Sequence, residues 1–518
     1  MAKKENEYAY GSAYLPDGEK KYSVIRWGWN GLNETDNIDT GQISASSGIV
    51  IDPPYVMPVK DAKMWFDPPG DAISIHGFDD WLLVISRQDD KIVAWGCYKA
   101  GDATGMISHV IADAQGDDSD FQPRSVVQFN VVDTSSGDIA SYTYDRRWLI
   151  FPDCYSIRYQ DDEPGGGSSF NPPENPIPGI LYASVYQSRV FGVDKNSVYA
   201  SHYNSYADFT LDTADNISPD NAWMSMSQSN TKADGDFTAI ATYDNHVVLF
   251  KKDFMQLVYN NKNPFRIVDV GAYGCDNSLA VTEMGGVLYF ASKDKIYAYT
   301  GGTPKDISKN LDIDSYAGAA LGSFKDTLWL SVNGELYTYK NGVWSDLGVS
   351  HVGSGVCVKQ FATLDYALVG LLSNGRIVYL DWDEDVAEET TGADFTPTYN
   401  GLWWFATDIM ALGRLDIRRV KKMSVLCEGE KDAVLEVLLL PDVDIGHDWV
   451  NPIFDPVIDS KNFVGSVIFD KDGTKMLRVL TRQFSGTRHQ LIFAGVGNIK
   501  IHAAELKIAW GGDLYVEE

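Results

Sequence analysis

The chain has 518 residues, more than one ordinary hydrophobic core organises, so two or three domains are expected. It is 44% hydrophobic and carries 28 Tyr, 22 Phe and 14 Trp, while its 46 Gly and 20 Pro fall mostly in short clusters between apolar runs; this is the composition of many short strands joined by turns. A formal net charge of −29 argues against nucleic-acid binding, which needs clustered Lys and Arg, and makes an acidic surface useful beside DNA only where DNA must slide past.

In chain order, residues 1–75 are rich in Gly, Asn, Asp and Pro and poor in periodic apolar runs, and they predict an extended N-terminal arm. Trp27 and Trp29 are its candidate interaction residues: they anchor the arm to the rest of the chain or to a neighbouring subunit, or simply pack within their own chain. The segment Met1–Glu7 has no apolar stretch, so no signal peptide is expected. No apolar run approaches the ~18 residues of a membrane span, so no membrane insertion is expected either.

Residues 76–385 carry a repeat. Four segments share one shape, an apolar strand, a polar turn, then a strand holding tyrosine: His246–Tyr259, Val287–Tyr299, Thr327–Tyr339 and Tyr366–Tyr379. Their closing tyrosines are forty residues apart each time. Asn333-Gly334 and Asn374-Gly375 stand at two of the turns, where Asn-Gly readily takes positive φ. Looser copies are Asp80–Trp95, Arg147–Tyr159 and Arg189–Tyr199. A period of about 40–50 residues with four short strands per unit predicts an all-β fold, a β-propeller of about 6–8 blades with seven as the best count. A long β-sandwich or solenoid of hairpins is the alternative. The segment Glu163–Pro176 predicts a loop projecting from one face.

Residues 386–400 predict a linker. From 401 to 518 the strands alternate apolar and polar residues, as in Ile499–Ile508, and predict a C-terminal β-sandwich domain. The charge changes at the same place: residues 401–518 hold 14 Lys+Arg and 17 Asp+Glu, a net of −3, and the first 400 residues a net of −26.

The chemistry-bearing residues are sparse. Cys97, Cys154, Cys275, Cys357 and Cys427 are odd in number and far apart, and predict reduced thiols in a protein assembled in a cytosol. No HExxH, GxSxG, P-loop or GxGxxG occurs, so no catalytic residue, cofactor or metal ligand is assigned and the protein is not expected to be an enzyme. An isolated His such as His246 is expected to be structural. The acidic clusters Asp381–Asp385 and Asn310–Asp314 offer alternate oxygens to calcium, but lack the Gly and distal Glu of an EF-hand and are expected to be solvated turns. A glycan-cleaving activity would need two carboxylates across one cleft, and no motif marks such a pair.

The order Ser188–Ser201, Ser205–Phe209, Val247–Asp253, Gly271–Cys275 and Gly285–Ser292 resembles the β-propeller proteins of bacteriophage tails, and the Gly31–Pro58 arm and the Arg418–Met423 strand are similar to parts of the same proteins. The resemblance implies a virion structural protein of the tail hub, nozzle or stabilisation type. Such a protein is made in the host bacterial cytoplasm and forms a homo-oligomeric ring, a hexamer of about six copies with head-to-tail interfaces. It joins portal-adaptor, tail and tail-fibre proteins. DNA would pass such a ring transiently during viral genome ejection, repelled by like-charged walls and not specifically bound. The alternative is a receptor- or glycan-binding propeller at the tail tip or baseplate, with Trp403 and Trp404 stacking on sugars.

Overall fold

The structure, a computed structural model, describes residues 11–14, 20–27, 29–35, 42–88, 91–98, 106–113, 123–133, 143–152, 154–159, 170–171, 178–211, 218–226, 235–260, 262–348, 352, 355–391, 394–408, 418–441, 463–479, 485–486 and 489–510. Seven four-stranded antiparallel sheets follow one another between residues 63 and 382. Blade 1 runs through Asp71–Phe78, Trp81–Gln88, Lys91–Tyr98 and Met106–Asp113. The first strands of blades 2 to 7 are Ser125–Asp133, Tyr182–Tyr186, Phe237–Tyr243, Val281–Met284, Ala320–Phe324 and Val358–Thr363. These first strands neighbour one another around the axis, and the last of them meets the first strand of blade 1. The architecture is a closed β-propeller.

Burial explains why the repeat is visible. The second strand of a blade is flanked by the neighbouring blades on both faces, so His246–Lys251 and Ala367–Leu372 are buried at every position. Such a strand needs a continuous apolar run, not an alternation. The third strands bear the periodic Tyr259, Tyr299, Tyr339 and Tyr379. At the blade 6 turn Asn333 and Gly334 have φ of 52° and 88°, the two left-handed residues of a type I′ hairpin. In blade 7 the turn differs: Gly375 alone is left-handed, at φ 84°, and Asn374 instead accepts the Arg376 amide on its side chain.

Between blades, hydroxyls on the first strands bond the neighbouring backbone. Ser125 Oγ bridges the amide and carbonyl of Ala183, Thr242 donates to the Val185 carbonyl, Ser323 to that of Glu283, and Thr363 to that of Ser323. Ring closure uses a strand from far upstream. Lys63–Phe66 supplies the fourth strand of blade 7 by pairing with Ile377–Trp382, and Trp65 stacks on Tyr379 at 4.9 Å. At the same seam the Gln360 side chain takes both the amide and the carbonyl of Ile75, and Gly77 lies so close to Thr363 that a Cβ would sit 2.0 Å from its carbonyl oxygen.

The N-terminal segment corrects the expectation of an extended arm. Lys20–Trp27 pairs with Ile499–Trp510, which pairs with Arg418–Gly429, which pairs with Gly473–Val479. Ile43–Ser47 pairs with Leu402–Thr407 in the opposing sheet, completed by His489–Val496, Val434–Pro441 and Phe463–Ile468. The two sheets face each other across one core, so the sandwich is built from both ends of the chain. An arm of mixed polarity reads as extended because half of each such strand faces away from the core. The expected linker at 386–400 is also structured in part: the helix Glu384–Thr391 crosses its start, capped by Asp383, and Phe395 packs against Tyr379 and Trp382.

The sandwich rests on the outer edge of blade 6. Leu32 donates to the Trp344 carbonyl, Gly48 to that of Leu347, and the Ile51 amide to Ser345 Oγ. The apolar core of the sandwich is continuous with that of blades 4 to 6.

Candidate interaction surfaces

The four tryptophans expected at an interface are not an exposed platform. Trp27 is buried and its indole donates to Asp408 Oδ1 at 2.8 Å. Burial pushes the Asp408 carboxyl up to about 6, against the pull of that hydrogen bond. Trp29 is fully buried, edge-on to Phe405 and Phe493 at 5.2 and 5.7 Å. Trp403 is buried with its indole on the Gly497 carbonyl; Gly495 leaves it room, since a Cβ there would lie 2.3 Å from the Trp403 ring. Trp404, next along the strand, turns to the other side of its sheet and is half-buried. Strand alternation places one of this pair in the core, so they cannot present a joint sugar-stacking face.

The acidic clusters are used within the fold. Asp381 pairs with Lys60 at 3.0 Å, and Asp383 pairs with Lys325 at 2.6 Å while capping the helix. In the second cluster the Asn310 carbonyl accepts the Glu34 amide, and the Asp312 amide donates to the Glu34 carboxylate. Among the described residues no group of three His, Cys, Asp or Glu is placed to hold a metal ion. All five cysteines are free, and burial pushes the thiols of Cys97, Cys154 and Cys275 up to about 12, which keeps them protonated and unreactive. His246 stacks on Tyr259, and burial lowers its pKa against the opposing charge of Asp244. The projecting loop expected at Glu163–Pro176 lies outside the described residues, apart from Phe170–Asn171, the fourth strand of blade 2.

Four features remain as surfaces able to meet a partner. The first is an edge of the sandwich, where among the described residues Phe463–Ile468 ends one sheet and Gly473–Val479 ends the other. Phe463, Ile468 and Met476 are exposed there, Ile468 by 63%. An open strand edge with apolar side chains invites pairing with another chain.

The second is a pocket of about 330 Å³ on the propeller face that carries the turns between first and second strands; Gln187, Ser188, Arg189, Tyr203, Asp220 and Lys262 line it. The third, of about 260 Å³, opens on the opposite face between blades 4 and 5, where Lys252, Lys293 and Lys295 alternate with Asp253 and Asp294. On that same face Ser278, leading into blade 5, touches the Arg124 carbonyl leading into blade 2, so the axis is crossed there by a hydrogen bond.

The fourth lies at the junction of sandwich and propeller. Glu34 sits beside Asp312 and Glu335, and burial pushes its carboxyl up to about 7. Burial together with Glu34 raises Asp346 well above the usual carboxylate range. Glu335 accepts a 2.6 Å hydrogen bond from the Tyr337 hydroxyl. Sequence reasoning named only the Asn310–Asp314 part of this cluster, because its other members come from separate segments.

Among the described residues no helix is long and apolar enough to cross a membrane. No family model matches the chain, and no curated protein does. Solved structures similar to it include the WD40 domain of a Toxoplasma gondii coronin, at 12% identity and TM-score 0.38 over 65% of this chain and 87% of that one. Another is BBS1N, solved in complex with ARL6DN, at 12% identity and TM-score 0.36 over 62% and 98%. A third is the extracellular domain of a two-component system from B. thetaiotaomicron, at 10% identity and TM-score 0.40, covering 67% of this chain; the chain spans 44% of that protein's length.

Proposed function

We propose that the chain is a structural protein of a bacteriophage tail, in which several copies close a ring of the hub or nozzle type and join portal-adaptor and tail proteins. The exposed apolar edge of the sandwich is the observation that carries this reading. Two strand edges bearing Phe463, Ile468 and Met476 favour contact with another copy over exposure to water. Charge favours a head-to-tail arrangement. The propeller side of the chain is strongly acidic and the C-terminal segment nearly neutral, so laying the sandwich edge of one copy on the propeller of the next avoids placing two acidic surfaces together. The central passage would then lie between copies and not along a propeller axis, which Ser278 and Arg124 cross. Acidic walls around that passage would repel phosphates and let DNA slide.

The test is the mass of the purified protein at high concentration, with images of the particle. The expected result is a closed cyclic oligomer that the double variant Phe463→Asp and Ile468→Asp reduces to folded monomers. Monomers alone from the unaltered chain, with no ring of it in the particle, would overturn the reading.

A further inference from the structure

The pocket at blade 3 differs in sign from the chain that carries it. The protein has 72 acidic residues against 43 Lys and Arg, yet this pocket holds two cations, Arg189 and Lys262, and one carboxylate, Asp220. Arg189 forms its floor and is 2% exposed. Its guanidinium is fixed by the carbonyls of Ser201, Asn221 and Pro219, and among the described residues no carboxylate lies within ion-pair distance. Those three bonds leave two of its five N–H donors. A buried guanidinium whose hydrogen bonds go to carbonyls, with the Asp220 charge nearby but beyond ion-pair distance, keeps its charge and attracts an anion. Lys262, at the rim, makes no ion pair among the described residues either.

Two further groups narrow the ligand. Asp220 repels a bare anion such as phosphate or sulfate, but its oxygens accept hydrogen bonds from hydroxyls. Tyr203 is 55% exposed, its ring centroid 5.9 Å from the guanidinium carbon, so a flat apolar face is open beside the cation. Gln187 and Ser188 stand on the adjoining turn, both with positive φ, which fixes the backbone of that wall. A ligand satisfying all of these groups has a carboxylate, several hydroxyls and an apolar ring face. A volume of about 330 Å³ lies at the small end of ligand pockets and accommodates one or two sugar rings.

We propose that this pocket binds an acidic sugar, a pyranose bearing a carboxylate, with Arg189 and Lys262 meeting the carboxylate, Asp220 and Gln187 the hydroxyls, and Tyr203 the ring face. The site rests on its own residues and not on the ring reading, so failure of either leaves the other standing. It also differs from the sugar-stacking role first expected of Trp403 and Trp404, since Trp403 is buried in the sandwich.

The experiment titrates the full-length protein with glucuronic acid and N-acetylneuraminic acid, with glucose as the neutral sugar and a short oligoglutamate as the acidic peptide. Calorimetry or ligand-observed NMR is the readout. Single acidic sugars are expected to bind in the millimolar range, glucose at least about tenfold more weakly. Tyr203→Ala is expected to weaken the acidic sugar by about five- to tenfold, and Lys262→Gln by about threefold and less so at high salt. Both side chains are exposed, so folding is expected to survive, and an unchanged melting temperature verifies it. The proposal is overturned if neither acidic sugar binds in the millimolar range, if glucose or oligoglutamate binds as well, or if both variants bind like the unaltered chain.

Discussion

Propeller and sandwich are both all-β, yet they are assembled in opposite ways. In the propeller each strand pairs with its neighbour along the chain, and a single distant strand, Lys63–Phe66, closes the ring. In the sandwich the strands come from opposite ends: Arg26 bonds Glu505 across 479 residues of sequence. Blades are therefore able to form as local hairpins, whereas the sandwich waits for both termini. The difference sets where each is vulnerable. The propeller depends on the seam where its last blade meets its first, and the sandwich on strands that composition alone assigns to an arm.

The largest effect is expected at the seam. A Cβ on residue 77 would lie 2.0 Å from the Thr363 carbonyl oxygen and 2.7 Å from its carbon, both backbone atoms that no rotamer change relieves. Gly77→Val is expected to cost at least about 4 kcal/mol, read as lost soluble yield or as proteolysis opening between blades 7 and 1. Gly334→Ala is the control within the same fold: nothing lies within 4 Å of its Cβ position, and only its φ of +88° resists, so about 1 kcal/mol is expected. Equal stabilities for these two variants would show that ring closure is not the tight point. Next in size is Trp29→Ala, expected to cost about 3–5 kcal/mol by emptying the space against Phe405 and Phe493. Denaturant unfolding measures it. A Trp29 variant as stable as the unaltered chain would mean that the N-terminal segment is an arm after all.

The same contrast explains what was legible in the sequence. The blades repeat one environment every forty residues, so Tyr259, Tyr299, Tyr339 and Tyr379 announce it, and the two-sided burial of His246–Lys251 leaves an unbroken apolar run. The sandwich occurs once and has no period to betray it. Its C-terminal strands alternate cleanly, but Ile43–Ser47, with three serines, looks like loop until Leu402–Thr407 is set beside it. Trp27 and Trp29 stood out for size alone, and pairing with distant strands decides that they face inward. The blade 3 pocket was hidden for a similar reason. Its Arg189 stands inside the repeat that signals a strand, while Tyr203, Asp220 and Lys262 come from loops whose folding back no spacing reveals.

A smaller effect than that of Trp29 is expected where the two regions meet, and it depends on pH. The Glu34 carboxyl is raised from 4.5 to about 7 by burial, against the pull of the Asp312 amide hydrogen bond, with the charges of Glu335 and Asp312 adding smaller pushes upward. A carboxyl whose folded pKa exceeds its unfolded value binds more protons in the native state, so its stabilising contribution is complete below about pH 4.5 and is lost as pH rises through about 7. Asp408, raised to about 6, has the same sign inside the sandwich. The carboxyls of Asp208 and Asp306 are held below their ordinary values; their contribution is complete above pH 4 and does not offset the loss. Burial holds the His76 imidazole down at about 3 and lowers His246, so both cost stability as pH falls below about 6.5 and oppose the raised carboxyls; the Glu34 part is therefore read as the difference between the unaltered chain and a Gln variant. Glu34→Gln keeps an oxygen for the Asp312 amide and never ionises, so it should match the unaltered chain near pH 5 and exceed it by about 1–3 kcal/mol at pH 8. Melting curves across this range decide the matter, and a Gln variant that leaves the pH dependence untouched would mean that charge at the junction does not couple the sandwich to the propeller.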